Sequence, residues 1–96
     1  MNLNAIVKSN RDEILRITTA HGANNVRVFG SVSRGEATGE SDIDILVRLD
    51  RGRSLLDLIA IKQDLQDLLG YPVDVLTEDA VSPYIRDQVL KEAVSL

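Results

Sequence analysis

Three carboxylates sit in segments that otherwise read as buried sheet. Asp42 and Asp44 lie in Ser41-Asp42-Ile43-Asp44-Ile45-Leu46-Val47, and Asp74 lies in Pro72-Val73-Asp74-Val75-Leu76. Carboxylates are rarely buried unless they are paired or bound to metal, so their presence among Ile, Leu and Val needs a chemical reason. In an extended strand, residues two apart face the same side, so Asp42 and Asp44 project together while Ile43, Ile45 and Val47 face the opposite layer. Their Cβ atoms are then roughly 7 Å apart, which suits convergence on two metal ions about 4 Å apart. Asp74 has the same phase, with Val73 and Val75 facing away from it. If its strand lies beside that of Asp44, all three carboxylates gather. Without a cation, two carboxylates about 5 Å apart repel by around 3 kcal/mol at an effective dielectric near 20, so stability alone gives no reason to keep them. Magnesium suits the set, because hard oxygen ligands and substrate phosphates complete its shell. Upstream, Gly30-Ser31 offers a close backbone approach, a hydroxyl and N–H groups for phosphate oxygens.

The elements that must position these residues are legible in outline. Leu3, Ile6, Val7, Ile14, Leu15 and Ile17 have helical spacing up to a stop at Gly22, as one helix or as two if Ser9 and Asp12 restart it. His21, the only histidine, is expected to meet terminal carbonyls rather than to do chemistry. Asn25–Phe29 reads as a first strand that ends at Gly30. Residues 32–36 suggest a short helix and 37–41 a turn. Asp42–Leu49 reads as a second, central strand. Ser54 with Asp57 forms a capping-box pair for a helix to about Leu69, stopped by Gly70. Its apolar character is wider than one sheet contact requires, leaving room for contact with another protein. Tyr71–Leu76 reads as a third strand, and Ser82-Pro83 opens a last helix over Tyr84–Ala93. The expected architecture is α/β in the order α-β-α-β-α-β-α, a small mixed sheet of about three strands. Its helices cover mainly one face and the site lies on the other.

Composition narrows the function classes. Ninety-six residues with 44% hydrophobic and 27% charged content describe one ordinary domain over 1–96, without room for a second substrate-binding unit. No apolar run approaches the roughly 20 residues that cross a bilayer, and no leader pattern opens the chain, so a cytoplasmic location without membrane contact is expected. The absence of cysteine excludes thiolate metal sites. A net charge of -4 with dispersed Lys and Arg disfavours direct nucleic-acid binding. Arg34 is read as a contact to phosphate or to a target protein, or equally as an ion pair with Glu36 or Glu40, and Arg86 is equally open. Arg51 and Arg53 are read as solvated.

Gly30-Ser31, ten intervening residues, Asp42-x-Asp44 and then Asp74 after a helix resemble the minimal nucleotidyltransferases of the DNA polymerase β superfamily. The similarity is strongest to the antitoxin half of HEPN/minimal-nucleotidyltransferase pairs. That resemblance implies an ATP-dependent protein adenylyltransferase that moves AMP onto a tyrosine hydroxyl of a HEPN ribonuclease toxin. It implies two Mg²⁺ ions, with Asp42 and Asp44 as ligands to both and Asp74 completing the site that activates the hydroxyl. Gly30 and Ser31 would hold the β- and γ-phosphates, with Arg34 as a further phosphate contact. The alternative is an antitoxin that neutralises its partner by stable complex formation without need of catalysis. Transfer to a small hydroxylated molecule is disfavoured by the absence of a second domain.

Overall fold

The computed structural model describes residues 3–30 and 42–96. Ser31, Arg34, and the short helix and turn expected over 32–41 lie outside the described residues.

The first helical stretch is two helices, α1 (Leu3–Ser9) and α2 (Arg11–Ala20). The break falls at Asn10, whose side-chain amide donates to the Ile6 carbonyl at 2.8 Å and so closes α1 instead of capping α2. Leu3, Val7 and Ile14 point inward and are fully buried. Strand β1 (Ala23–Phe29) follows, then β2 (Ile43–Leu49), α3 (Leu55–Leu69), β3 (Val73–Thr77), a short 3₁₀ turn (Glu78–Ala80), α4 (Arg86–Glu92) and β4 (Val94–Ser95). The sheet order is β3-β2-β1-β4: β2 runs parallel to β3, and β1 runs antiparallel to both β2 and β4. β2 is therefore central, in keeping with its apolar density. A long crossover is what a parallel pair requires, and α3 provides it between β2 and β3.

Local chemistry fixes the ends of α3. The Ser54 side chain and the Asp57 carboxylate form a reciprocal capping box, with Ser54 N–H donating to Asp57 Oδ2 at 3.0 Å. Gly70 closes the helix at φ 75°, a left-handed conformation that glycine adopts without a Cβ clash. In β1, Ala23, Val26 and Val28 all reach the core, which strict alternation does not allow. The register of β1 on β2 shifts between Asn24 and Arg27, and Asn25 takes φ 51°. One extra residue thus resets the phase, so that Arg27 and Phe29 face away from the main core.

That core lies on one side of the sheet. Ile43, Ile45, Val47, Val28 and Val73 meet Leu3, Val7 and Ile14 from the first two helices and Ile61, Leu65 and Leu69 from α3. On the other side Leu46, Val81 and Val89 form a much smaller cluster, with Phe29, Leu76 and Ala93 against it. Among the described residues α1, α2 and α3 cover one face, and α4 lies on the other.

Two expectations change. The last helix begins at Arg86, because Pro83, Tyr84 and Ile85 make a turn in which Ile85 N–H donates to the Ser82 carbonyl at 3.0 Å. A fourth strand, Val94–Ser95, continues past that helix to pair with β1, and two residues are too few to show alternation. In α3 the buried row is Ile61, Leu65 and Leu69, whereas Leu55 at its start is 69% exposed, in keeping with apolar character wider than one sheet contact requires. Among the described residues no helix is long and apolar enough to cross a membrane.

Candidate active site

The parallel register of β2 and β3 places Asp44 directly beside Asp74. Both point away from the main core, since their neighbours Ile43, Ile45, Val73 and Val75 belong to it. Side chains paired across adjacent strands share a face at a spacing of about 5 Å, so two carboxylates stand side by side on the side of the sheet opposite the main core. On the other flank, Asp44 pairs in register with Phe29 of β1, and Gly30 follows at once. Gly30 has φ 72°, and a side chain on it would collide with the Asp44 carboxylate. Glycine is required there twice over, for its backbone conformation and for the room it gives the acid. Phosphate approach was the use expected of Gly30, and accommodating Asp44 is an additional one.

Asp42 is exposed and lies just before the first residue of β2. The sheet holds Asp44 and Asp74, but no ladder pairing among the described residues holds Asp42. Among the described residues no group of three His, Cys, Asp or Glu side chains is assembled closely enough to hold a metal ion. The expected three-carboxylate cluster is thus only a pair in place, with Asp42 at its margin. A pair still fits magnesium, which usually takes one or two carboxylates and completes its octahedron with substrate phosphate oxygens and water.

One cation near this pair had no sequence signal beyond its place on the flank of a core helix. Lys62 of α3 reaches the edge strand, with Nζ 3.8 Å from Asp74 Oδ1. Both side chains are about half exposed, so the contact offsets some charge and adds little stability. Deeper on the same face, Arg27 donates from Nε to the Asn25 carbonyl at 3.0 Å and from Nη2 to Glu78 Oε1 at 2.5 Å. Its guanidinium is nearly buried and paired, so it is a structural residue of this face.

The remaining residues singled out in the sequence stand away from the pair. His21 Nε2 lies 3.0 Å from Asp64 Oδ2 and ties α2 to α3, instead of meeting the terminal carbonyls of α2. The Arg53 side chain lies over Gly22 and approaches Asp57 at 3.4 Å while remaining exposed, as expected of it. Arg86 packs beneath the turn preceding α4. Its Nη2 is 3.5 Å from the carbonyls of Asp79 and Val81, and its buried Nε has no partner among the described residues. Ser31 and Arg34 lie outside the described residues.

Residues 11–96 match the nucleotidyltransferase domain model. The chain belongs to the nucleotidyltransferase family. A solved minimal nucleotidyltransferase superposes on it with a TM-score of 0.88 at 46% identity, covering 100% of this chain and 97% of that one. The protein adenylyltransferase MntA of Thermococcus cleftensis is 40% identical over 91 residues, covering 86% of this chain and 92% of MntA. A chain of the Shewanella oneidensis complex between a tri-AMPylated HEPN toxin and an MNT antitoxin is similar with a TM-score of 0.69. It is 21% identical and covers 92% of this chain and 69% of that chain, a likeness of fold. This minimal nucleotidyltransferase therefore has the class of chemistry that its paired aspartates suit, and its mixed sheet is the fold of the family.

Proposed function

We propose that this nucleotidyltransferase moves AMP from ATP to a tyrosine hydroxyl of a HEPN ribonuclease toxin, and so acts as the toxin's antitoxin. The observation that carries the proposal is the Asp44–Asp74 pair in register beside Gly30 on the face of the sheet opposite the main core. The identity to an MntA named a protein adenylyltransferase supports protein as the acceptor class. The fold shared with a HEPN–MNT complex supports the partner.

In the proposed reaction the tyrosine oxygen bonds to the α-phosphorus of ATP. The bond from that phosphorus to the bridging oxygen of the diphosphate breaks, diphosphate leaves with that oxygen, and the hydroxyl proton passes to solvent water. Gly30 and Ser31 bind the β- and γ-phosphates, with Arg34 as a further anion contact. Asp42, Asp44 and Asp74 are the oxygen ligands that would hold two Mg²⁺ ions. Bound magnesium supplies charge neutralisation on the phosphates and lowers the pKa of the attacking hydroxyl. Asp74, at the end of the sheet order on β3, would orient that hydroxyl. The expected outcome is a gain of one or more AMP masses on a purified HEPN partner incubated with ATP and Mg²⁺. An unchanged partner mass under the same conditions would overturn the reading.

A second reading, neutralisation by binding alone, draws on one observation. Leu55, Leu56 and Ile59 at the start of α3 are all more than half exposed. Under this reading the double variant Asp42→Ala, Asp44→Ala still protects cells from the toxin. Under the catalytic reading protection is lost.

A further inference from the structure

Beside the carboxylate pair is a cleft of about 230 Å³, lined by Phe29, Gly30, Ile85, Gln88, Val89 and Glu92. We propose that this cleft between the end of β1 and α4 receives the base of the nucleotide, and that Gln88 selects adenine. The inference rests on the nucleotidyl-transfer reading above and names the part of the substrate that the aspartates do not touch.

Position, size and lining agree. Gly30 belongs both to the cleft wall and to the surroundings of Asp44, so a ligand with phosphates at the aspartates enters the cleft with its other end. The volume is below the roughly 300 Å³ at which pockets for whole drug-sized ligands begin, which suits a single base rather than a complete substrate. Phe29, Ile85 and Val89 give apolar walls for a flat ring. The chemistry on the polar side is specific. Gln88 Nε2 donates to Glu92 Oε1 at 3.3 Å, one helical turn away. That bond orients the amide and leaves its oxygen to accept and its second N–H to donate. An amide in that orientation matches the N6 donor and N7 acceptor of adenine, whereas guanine offers two acceptors, O6 and N7, on the same edge. The Glu92 carboxylate nearby further disfavours an edge of two acceptors.

The test is competition by ATP, GTP and inorganic tripolyphosphate against a fluorescent ATP analogue, with Mg²⁺ present and the full chain. Wild type should prefer ATP to GTP by about tenfold or more, the discrimination typical of a bidentate amide pair. Gln88→Leu should bring the two within about twofold while tripolyphosphate competes as before. Ile85→Trp, at a half-exposed position that does not threaten folding, should fill the cleft and weaken both nucleotides by about tenfold, again sparing tripolyphosphate. An unaltered ATP-to-GTP ratio in Gln88→Leu would overturn the inference. So would an Ile85→Trp variant that binds ATP normally but no longer transfers it, since the cleft would then hold the acceptor side chain. Failure of wild type to bind either ATP or tripolyphosphate would instead strike the transfer reading itself.

Discussion

The two faces of the sheet are built to different rules. Under α1, α2 and α3 the sheet presents an apolar layer in which Ile43, Ile45 and Val47 are fully buried, packed with the equally buried Ile61 and Leu65 of α3. The opposite face mixes a small apolar patch around Leu46 with Asp44, Asp74 and the Arg27–Glu78 pair. Because side chains alternate along β2, one strand serves both, its odd residues holding the fold and Asp44 facing the chemistry. Stability and activity should therefore separate by face. Substitutions on the apolar face should cost free energy of folding, and substitutions of the aspartates should cost turnover without it.

The largest expected effect tests the open face. Asp44→Asn removes a charge while keeping shape, and transfer should fall by about a thousandfold or more. Its metal-free melting temperature should be unchanged or raised, because one member of a repelling pair is gone. A large drop in melting temperature would mean that the carboxylate is structural and that the faces do not divide as described. Leu65→Ala is the counterpart on the apolar face. It should lower stability by about 2–5 kcal/mol, read from urea denaturation, while the surviving folded fraction keeps its nucleotide affinity.

Smaller effects sharpen the same contrast at the periphery. Ser54→Ala breaks the capping box of α3 and should cost about 1 kcal/mol, a melting shift of roughly 4–8 °C in a domain of this size, with ATP binding intact. The smallest effect concerns acid. The Asp57 carboxylate accepts the Ser54 backbone N–H and lies beside Arg53, and together these hold it below its ordinary value of 3.8 despite an opposing push from burial. A depressed native pKa gives stability that is complete above the ordinary value and is lost as pH falls toward the lowered one. Melting of Asp57→Asn followed from about pH 5 to about pH 2 should therefore lose less with acidification than wild type.

How much of this was legible in the sequence depends on the range of the interaction. The capping box at Ser54, the stop at Gly70 and the phase of Asp44 and Asp74 rest on residues one to four apart, and each was readable. The central place of β2 followed from its two-sided apolar character. Adjacency of Asp44 and Asp74 could be stated only as a condition, because strand order is a property of the whole sheet. What escaped reading depends on distant partners. His21 meets Asp64, Arg27 meets Glu78 and Lys62 meets Asp74 across spans that no periodicity encodes. The two-residue β4 and the late start of α4 escaped because a short strand has no alternation and because Ser82-Pro83 also suits a turn. Asp42 marks the opposite limit: its spacing from Asp44 was plain, but only the fold shows it to lie before the strand.

One measurement tests the central claim directly: transfer of label to a purified HEPN partner from ATP labelled at the α-phosphate and, in parallel, at the γ-phosphate. Label should reach the partner from the α-position alone, require Mg²⁺, and be absent with Asp44→Asn. Label from the γ-position, or α-label that persists in Asp44→Asn, would contradict nucleotidyl transfer at the Asp44–Asp74 pair.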